Sequence, residues 1–129
     1  MYEMVSPWLF LGLAIVSEIG GTILLKYSNG FEIWYFSFMC IVFYAVAIFF
    51  LSISLKAIEL GIAYSIWSGL GTAAAAVLGA FLFGEFLLVV QYIGIIIIVS
   101  GVILINVGPN IFAHKPSEST ENITMVEET

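Results

Sequence analysis

The sequence predicts an all-α membrane protein of four transmembrane helices joined by short loops. Of its 129 residues, 62% are hydrophobic and only 9% are charged, whereas soluble domains carry about 25% charged residues. Four apolar runs, 7–26, 33–55, 61–83 and 88–107, each approach the ~20 residues that a helix needs to cross about 30 Å of hydrocarbon. They are too long for barrel strands and lack period-two alternation. We therefore expect one helical transmembrane domain over residues 1–112.

The first helix has clear signals at both ends. Ser6 offers a capping hydroxyl and Pro7 suits the first helical position. The apolar run stops near Lys26, and Asn29 and Gly30 supply turn chemistry. The N-terminus lacks the basic region of a signal peptide. We therefore expect this helix to remain in the mature protein.

The other three helices are bounded by breaks in the apolar pattern. The second ends near Leu55, where segment 56–61 interrupts the hydrophobic run. The third is rich in glycine and alanine and ends at Gly84. We expect the fourth to stop at Gly108 and Pro109, because this order of residues commonly terminates a helix.

Charge is concentrated outside the apolar runs. Segment 113–129 is polar and acidic, and we expect a disordered tail because it cannot bury a core. It contributes strongly to the net charge of −6. With no basic patch, nucleic acid is not an expected partner. One cysteine and one histidine leave no spacing for a metal site, so we predict no metal. We also expect no cofactor and no enzymatic activity.

Glu18 is a lone carboxylate within the first apolar run. An ionisable side chain at this depth costs several kcal/mol and usually marks a functional site. Its helical face carries the small residues Ala14, Gly21 and Thr22, which would let a helix or ligand approach closely. Such a group can hold a proton or a cation but not both, as proton-coupled antiport requires. The alternative is a structural glutamate that is hydrogen-bonded to other helices.

Aromatic side chains could complete a cation site. Tyr64, Trp67 and Gly71 share one face of the third helix, and Ser68 lies beside them. Tyr44 stands in the middle of the second helix. Aromatic faces attract cations through the ring quadrupole, so a cage around a carboxylate is one interpretation. The other is ordinary core packing.

Glycines in the last two helices suggest movement and association. Gly69 and Gly71 lie in the middle of the third helix, where they favour either close packing or a hinge. Gly94 and Gly101 are seven residues apart on the fourth, a spacing that suits helix dimerisation as well as a lipid-facing surface.

At the helix breaks, we expect the side chains of Glu85 and Glu59 to be solvated at the membrane interface.

The lysines give little preference for one orientation. With four spans, Lys56 and Lys115 lie on one side of the membrane and Lys26 on the other. This difference is a weak bias by the positive-inside rule. The chain could therefore insert both ways, which would permit an antiparallel homodimer.

Several motifs together resemble one family. They are EIGGT at 18–22, GIAYSIWSGLG at 61–71, FGE at 83–85 and the glycine spacing at 94–101. From about Trp8 to Val107 the chain resembles the small multidrug resistance family of proton-coupled exporters. The resemblance implies an antiparallel dimer in which the two copies of Glu18 form one site for protons and substrate. It also implies a pocket lined by Tyr64 and Trp67 with Tyr44 nearby, a bend at Gly69 to Gly71, and a dimer contact at Gly94 and Gly101.

The residues around Glu18 indicate a branch of this family. The guanidinium exporters have glycine three residues before the glutamate and tryptophan three after it, where this chain has Ile15 and Gly21. The chain is more similar to the polyspecific branch that exports quaternary ammonium and other lipophilic cations. It departs from that branch at Glu59, where proline is frequent, and in its acidic tail.

We therefore expect a multi-pass protein of the inner or plasma membrane that exports hydrophobic or quaternary ammonium cations in exchange for protons. Its expected partners are a second copy of itself or a paralogous subunit, small organic cations, protons and lipid. Two alternatives stay open. One is a polyamine, amine-metabolite or guanidinium exporter that acts as half of a paired heterodimer. The other is a non-transporting membrane assembly subunit.

Overall fold

The computed structural model describes residues 5–112, and this part of the chain is built from α-helices. The helices are α1 (Pro7–Tyr27), α2 (Trp34–Ser54), α3 (Leu60–Phe83) and α4 (Val89–Phe112). All four are long and apolar enough to cross a membrane; in α4 this applies to Val89–Gly108. The prediction of an all-α membrane protein with four spanning helices is confirmed. The expected disordered tail, 113–129, lies outside the described residues.

The start of α1 departs from one detail of the prediction. Pro7 is the first helical residue and Ser6 precedes it, but the Ser6 side chain makes no capping hydrogen bond. Instead the Ser6 carbonyl accepts a hydrogen bond from the backbone N–H of Leu9 at 2.9 Å. Pro7 has no N–H, so the start of α1 has one fewer backbone donor without a partner inside the helix.

The turn between α1 and α2 has a left-handed backbone at three consecutive residues. Asn29, Gly30 and Phe31 have φ values of 51°, 72° and 70°. Glycine and asparagine tolerate this left-handed region, whereas phenylalanine is strained there. The Ser28 hydroxyl donates to the Leu25 carbonyl at 2.6 Å and accepts the Phe31 N–H at 3.3 Å. These bonds hold the strained residue in place.

The end of α3 agrees with its sequence signal and the end of α4 does not. Gly84 caps α3 with a left-handed φ of 63°. The helix α4 continues through Gly108 and Pro109 to Phe112, so the expected stop at this pair is wrong. A proline removes one hydrogen bond to the preceding turn and crowds it. The helix α4 accommodates this loss at Pro109 and continues to Phe112, the last described residue.

The helix α1 is the centre of the bundle. It packs most extensively against α2 and also against α3, while α4 packs against α3. Contacts between α1 and α3 follow the same order along the two helices. They begin in the core near Ala14 and Ala63, continue at Glu18 and Gly71, and end at Lys26 and Glu85. The two helices therefore run in the same direction, as an up-and-down bundle requires.

The buried core lies on one side of Glu18. Its members are Leu11, Ala14, Leu51, Ile58, Ala63 and Ile66. In contrast to this core, no residue in the most hydrophobic part of α4 is buried within the described chain. A spanning helix that is apolar on all sides faces lipid or a partner, so this surface is available for association.

Candidate functional site

The Glu18 carboxyl group lies in the interface between α1 and α3. Its oxygen Oε2 is buried and has no hydrogen-bond partner among the described residues. This oxygen lies directly against Gly71, in the space that a side chain at position 71 would occupy. The absence of a Cβ on α3 is therefore what makes room for the carboxylate.

The sequence on either side of Glu18 explains how the two helices come so close. One turn earlier, Ala14 is fully buried in the core, with Ala63 and Ile66 of α3 in the same cluster. Small side chains at a helix crossing allow the backbones to approach closely. The core thus fixes α1 against α3 immediately beside the carboxylate.

The helix α2 supports the site from the other side through a hydrogen-bonded chain. The Thr22 hydroxyl donates to the Glu18 carbonyl oxygen at 3.0 Å. Since that hydroxyl proton is used, the Tyr44 hydroxyl, 3.0 Å from Thr22 Oγ1, is the donor in the second bond. Tyr44 and Thr22 are thus brought together and anchor α2 to the turn of α1 that carries Glu18.

Gly21 and Gly20 make this anchoring possible. A Cβ at Gly21 would stand 3.3 Å from the Tyr44 ring, and one at Gly20 would stand 2.8 Å from the Phe43 ring. Because Gly20 and Gly21 have no side chains, the rings of Phe43 and Tyr44 pack directly against the backbone of α1. This places Gly21 at the α1–α2 contact, one residue from Thr22.

Tyr64 and Trp67 form an aromatic pair on α3. Their ring centroids are 5.4 Å apart with an interplanar angle of 57°. Trp67 packs against the core, and its indole Nε1 is buried without a hydrogen-bond partner within residues 5–112. Tyr64 remains 52% exposed. The pair leaves one aromatic surface and one N–H donor unused by the chain that the structure describes.

The predicted residues fall into separate groups within the chain. Glu18 contacts Gly71, Thr22 contacts Tyr44, and Tyr64 contacts Trp67. No described residue, and so none of these aromatic groups, donates a hydrogen bond to Glu18 Oε2. Ser68 is exposed and lines a shallow surface depression with Tyr64. Within residues 5–112, the predicted aromatic side chains therefore do not form a hydrogen-bonded cage around Glu18 Oε2.

The remaining predicted glycines differ in their surroundings. Gly69 is buried against Val102 and Ile98 of α4, so it forms the contact between α3 and α4. Around Gly94 and Gly101 of α4, apart from adjacent residues and the nearby backbone of α4 itself, no atom of the described chain lies within 4 Å of the position of a Cβ. These two glycines therefore belong to an open surface.

Sequence reasoning missed an ion pair at one end of the bundle. Glu85, expected to be solvated, is about half exposed and forms a salt bridge with Lys26 of α1. The Lys26 ammonium also lies 4.5 Å from the centroid of the Phe83 ring. A groove of about 410 Å³ between α1 and α3 leads inward from these residues to Thr22 and Ile19. The available signal was that Lys26 lies in the last turn of α1 and Glu85 directly follows the end of α3, two helices that run in the same direction.

Comparison with known proteins identifies the family. Residues 6–98 match the family model described as Small Multidrug Resistance protein. The chain belongs to the small multidrug resistance family. Its membership confirms the resemblance seen in the motifs around Glu18 and Trp67. The chain is accordingly a multi-pass membrane protein of a transporter family, which in bacteria resides in the plasma membrane.

Relatives in this family share most of the chain. It is 41% identical over 103 residues to multidrug resistance protein EbrA of Bacillus atrophaeus, covering 80% of this chain and 98% of the relative. It is 41% identical over 107 residues to quaternary ammonium compound-resistance protein QacE of Escherichia coli, covering 83% and 97%. It is 37% identical over 99 residues to nicotine metabolites export pump subunit NepB of Paenarthrobacter nicotinovorans, covering 77% and 60%.

Proposed function

We propose that the chain is a proton-coupled antiporter that exports hydrophobic or quaternary ammonium cations, with Glu18 as the group that binds both proton and substrate. The observation that carries this proposal is the buried oxygen of Glu18, which has no hydrogen-bond partner in the described chain. A buried anion without a partner is costly. Either a proton or an organic cation removes that cost, so the two compete for one carboxylate.

Competition at one group couples the movement of the cation to the movement of the proton, and the proton gradient across the membrane gives the exchange its direction. A cation that enters from the cytoplasm displaces the proton from Glu18. When the site opens to the other side, a proton returns and expels the cation. The Gly69 to Gly71 region of α3 is the proposed bend for this change. Gly71 is well placed for the role, because any motion of α3 there moves the surface on which the carboxylate rests.

Two copies of the chain would complete the site. In the proposed antiparallel dimer, the two Glu18 side chains face one cavity and titrate as a coupled pair. The open surface of α4 around Gly94 and Gly101 supports a helix contact between copies. A second copy would also bring its own Tyr64 and Trp67 toward the cavity, which supplies the aromatic faces that a single chain leaves apart.

The aromatic residues support the proposed substrate class. Tyr64 is about half exposed and packs against the partly buried Trp67, and such aromatic surfaces favour apolar or quaternary cations over small, strongly hydrated ions. The relative QacE is named for resistance to quaternary ammonium compounds. This name and the aromatic pair point to the same chemistry.

A second candidate is export by a paired heterodimer, with amine metabolites, polyamines or guanidinium as substrates. The relative NepB is named as a subunit of an export pump for nicotine metabolites. The uncovered face of α4 could receive a paralogue as readily as a second copy. In this case the chain alone would bind cations weakly or transport nothing.

Transport by the purified chain alone tests both candidates. The chain is reconstituted in liposomes on a solid-supported membrane, and currents are recorded with quaternary ammonium, guanidinium and polyamine substrates. We expect currents with quaternary ammonium ions, and none from Glu18→Gln. Glu59→Gln is the matched control, since it makes the same change at an exposed position. Full proton-coupled transport by Glu18→Gln would refute the role of Glu18, and currents only after a paralogue is added would favour the heterodimer.

A further inference from the structure

The Lys26 ammonium occupies a small site made of a carboxylate and an aromatic ring. Glu85 forms a salt bridge with it, and the Phe83 ring lies below it with 4.5 Å between Nζ and the ring centroid. That distance is within the ~6 Å over which a cation is attracted to a ring face. The Tyr27 ring packs on Phe83 with centroids 5.2 Å apart. A carboxylate with an aromatic wall is the arrangement that binds organic cations.

The carboxylate of this site is held in place by the shape of α3. A Cβ at Gly79 would stand 2.7 Å from Glu85 Oε2, so Glu85 folds back onto a position that has no side chain. Its other oxygen, Oε1, faces Lys26. Glu85 is thus directed toward α1 and the groove, although it follows the end of α3.

The site stands at the outer end of the groove between α1 and α3. The groove has a volume of about 410 Å³, within the range of small-ligand pockets. Its walls include Ile23, Ala75 and Leu78, which are apolar, and its inner end reaches Thr22, one turn from Glu18. An organic cation of modest size fits such a space, with its charge at Glu85 and its apolar groups against the walls.

We propose that Glu85 and Phe83 form a second organic-cation site, which the Lys26 ammonium fills in this conformation and which a hydrophobic cation can enter by displacing it. The side chains of Lys26 and Glu85 are 47% and 49% exposed, and ion pairs this exposed are weak and readily exchanged. The substrate class is taken from the proposed function, but the site itself does not depend on Glu18.

Binding measured without Glu18 tests this site. The full chain carrying Glu18→Gln is purified in detergent, and its binding of tetraphenylphosphonium is measured by calorimetry. Adding Lys26→Met removes the internal occupant, and we expect binding to become severalfold tighter, in keeping with an ion pair this exposed. Adding Glu85→Gln as a third change should abolish this gain. In the same background Lys56→Met is the matched control, since it removes one positive charge at the α2–α3 turn and should give no gain.

These outcomes separate this inference from the proposed function. No gain with Lys26→Met, a gain that survives Glu85→Gln, or an equal gain with Lys56→Met would overturn the second site, whatever Glu18 does. A second measurement needs no change near the site. In the Glu18→Gln chain, millimolar tetraphenylphosphonium should raise the acylation rate of Lys26 severalfold relative to Lys56, as read by mass spectrometry. An unchanged ratio would contradict displacement.

Discussion

Replacing Gly71 by alanine should weaken cation binding by displacing the Glu18 carboxylate. The new methyl group would occupy the space that Glu18 Oε2 now fills. Because the obstructing atoms are the end of a flexible side chain, the carboxylate should move and the helices should stay in place. To return to its present position when the cation binds, the carboxylate would have to pack against the new methyl group, and overpacking of this kind costs about 1–3 kcal/mol. At a factor of ten for each 1.4 kcal/mol, this corresponds to roughly 5- to 150-fold weaker binding.

Calorimetric binding of tetraphenylphosphonium to the purified chain measures this effect. Gly61→Ala is the matched control, since it makes the same change on α3 where nothing lies within 4 Å of the new methyl group. Its affinity should stay at the level of the unaltered chain. A thermal unfolding curve for each variant distinguishes lost binding from lost structure. If a folded Gly71→Ala chain bound the cation with unaltered affinity, the contact between position 71 and the carboxylate would not govern the site.

Two further substitutions address the support of the site and the association of chains. Thr22→Val should lower the free energy of unfolding by about 1–2 kcal/mol, because it leaves the Tyr44 hydroxyl unpaired. In denaturant titrations, adding Tyr44→Phe to the same chain should recover part of this loss. A full second loss that adds to the first would argue against the hydrogen bond. Gly101→Leu should reduce the fraction of dimer that cross-linking in detergent detects, because it adds bulk to an open face of α4. An unchanged dimer fraction would place the interface elsewhere.

The architecture could be predicted from the sequence because the length and the hydrophobicity of each apolar run determine it. Four apolar runs of spanning length, separated by turn residues, leave little choice but four helices. Glu18 could be singled out for a related reason, since one carboxylate among apolar residues is costly wherever the chain places it. Both inferences use only local sequence and the properties of the membrane.

The features that the sequence did not reveal depend on contacts between helices. Glu85 and Lys26 meet only because α1 and α3 run side by side in one direction. The packing of the α2 aromatic rings against Gly20 and Gly21 depends on the register of α1 against α2. Pro109 removes one backbone hydrogen bond from α4, and the helix nevertheless continues to Phe112.

Proton release on cation binding is the most direct test of the account. The purified chain in weakly buffered detergent is mixed with tetraphenylphosphonium near neutral pH, and the pH change is recorded alongside the heat of binding. We predict that protons are released, that affinity rises with pH, and that Glu18→Gln abolishes both effects while Glu59→Gln retains them. Cation binding with no proton release, or release that persists in Glu18→Gln, would contradict competition between proton and substrate at Glu18.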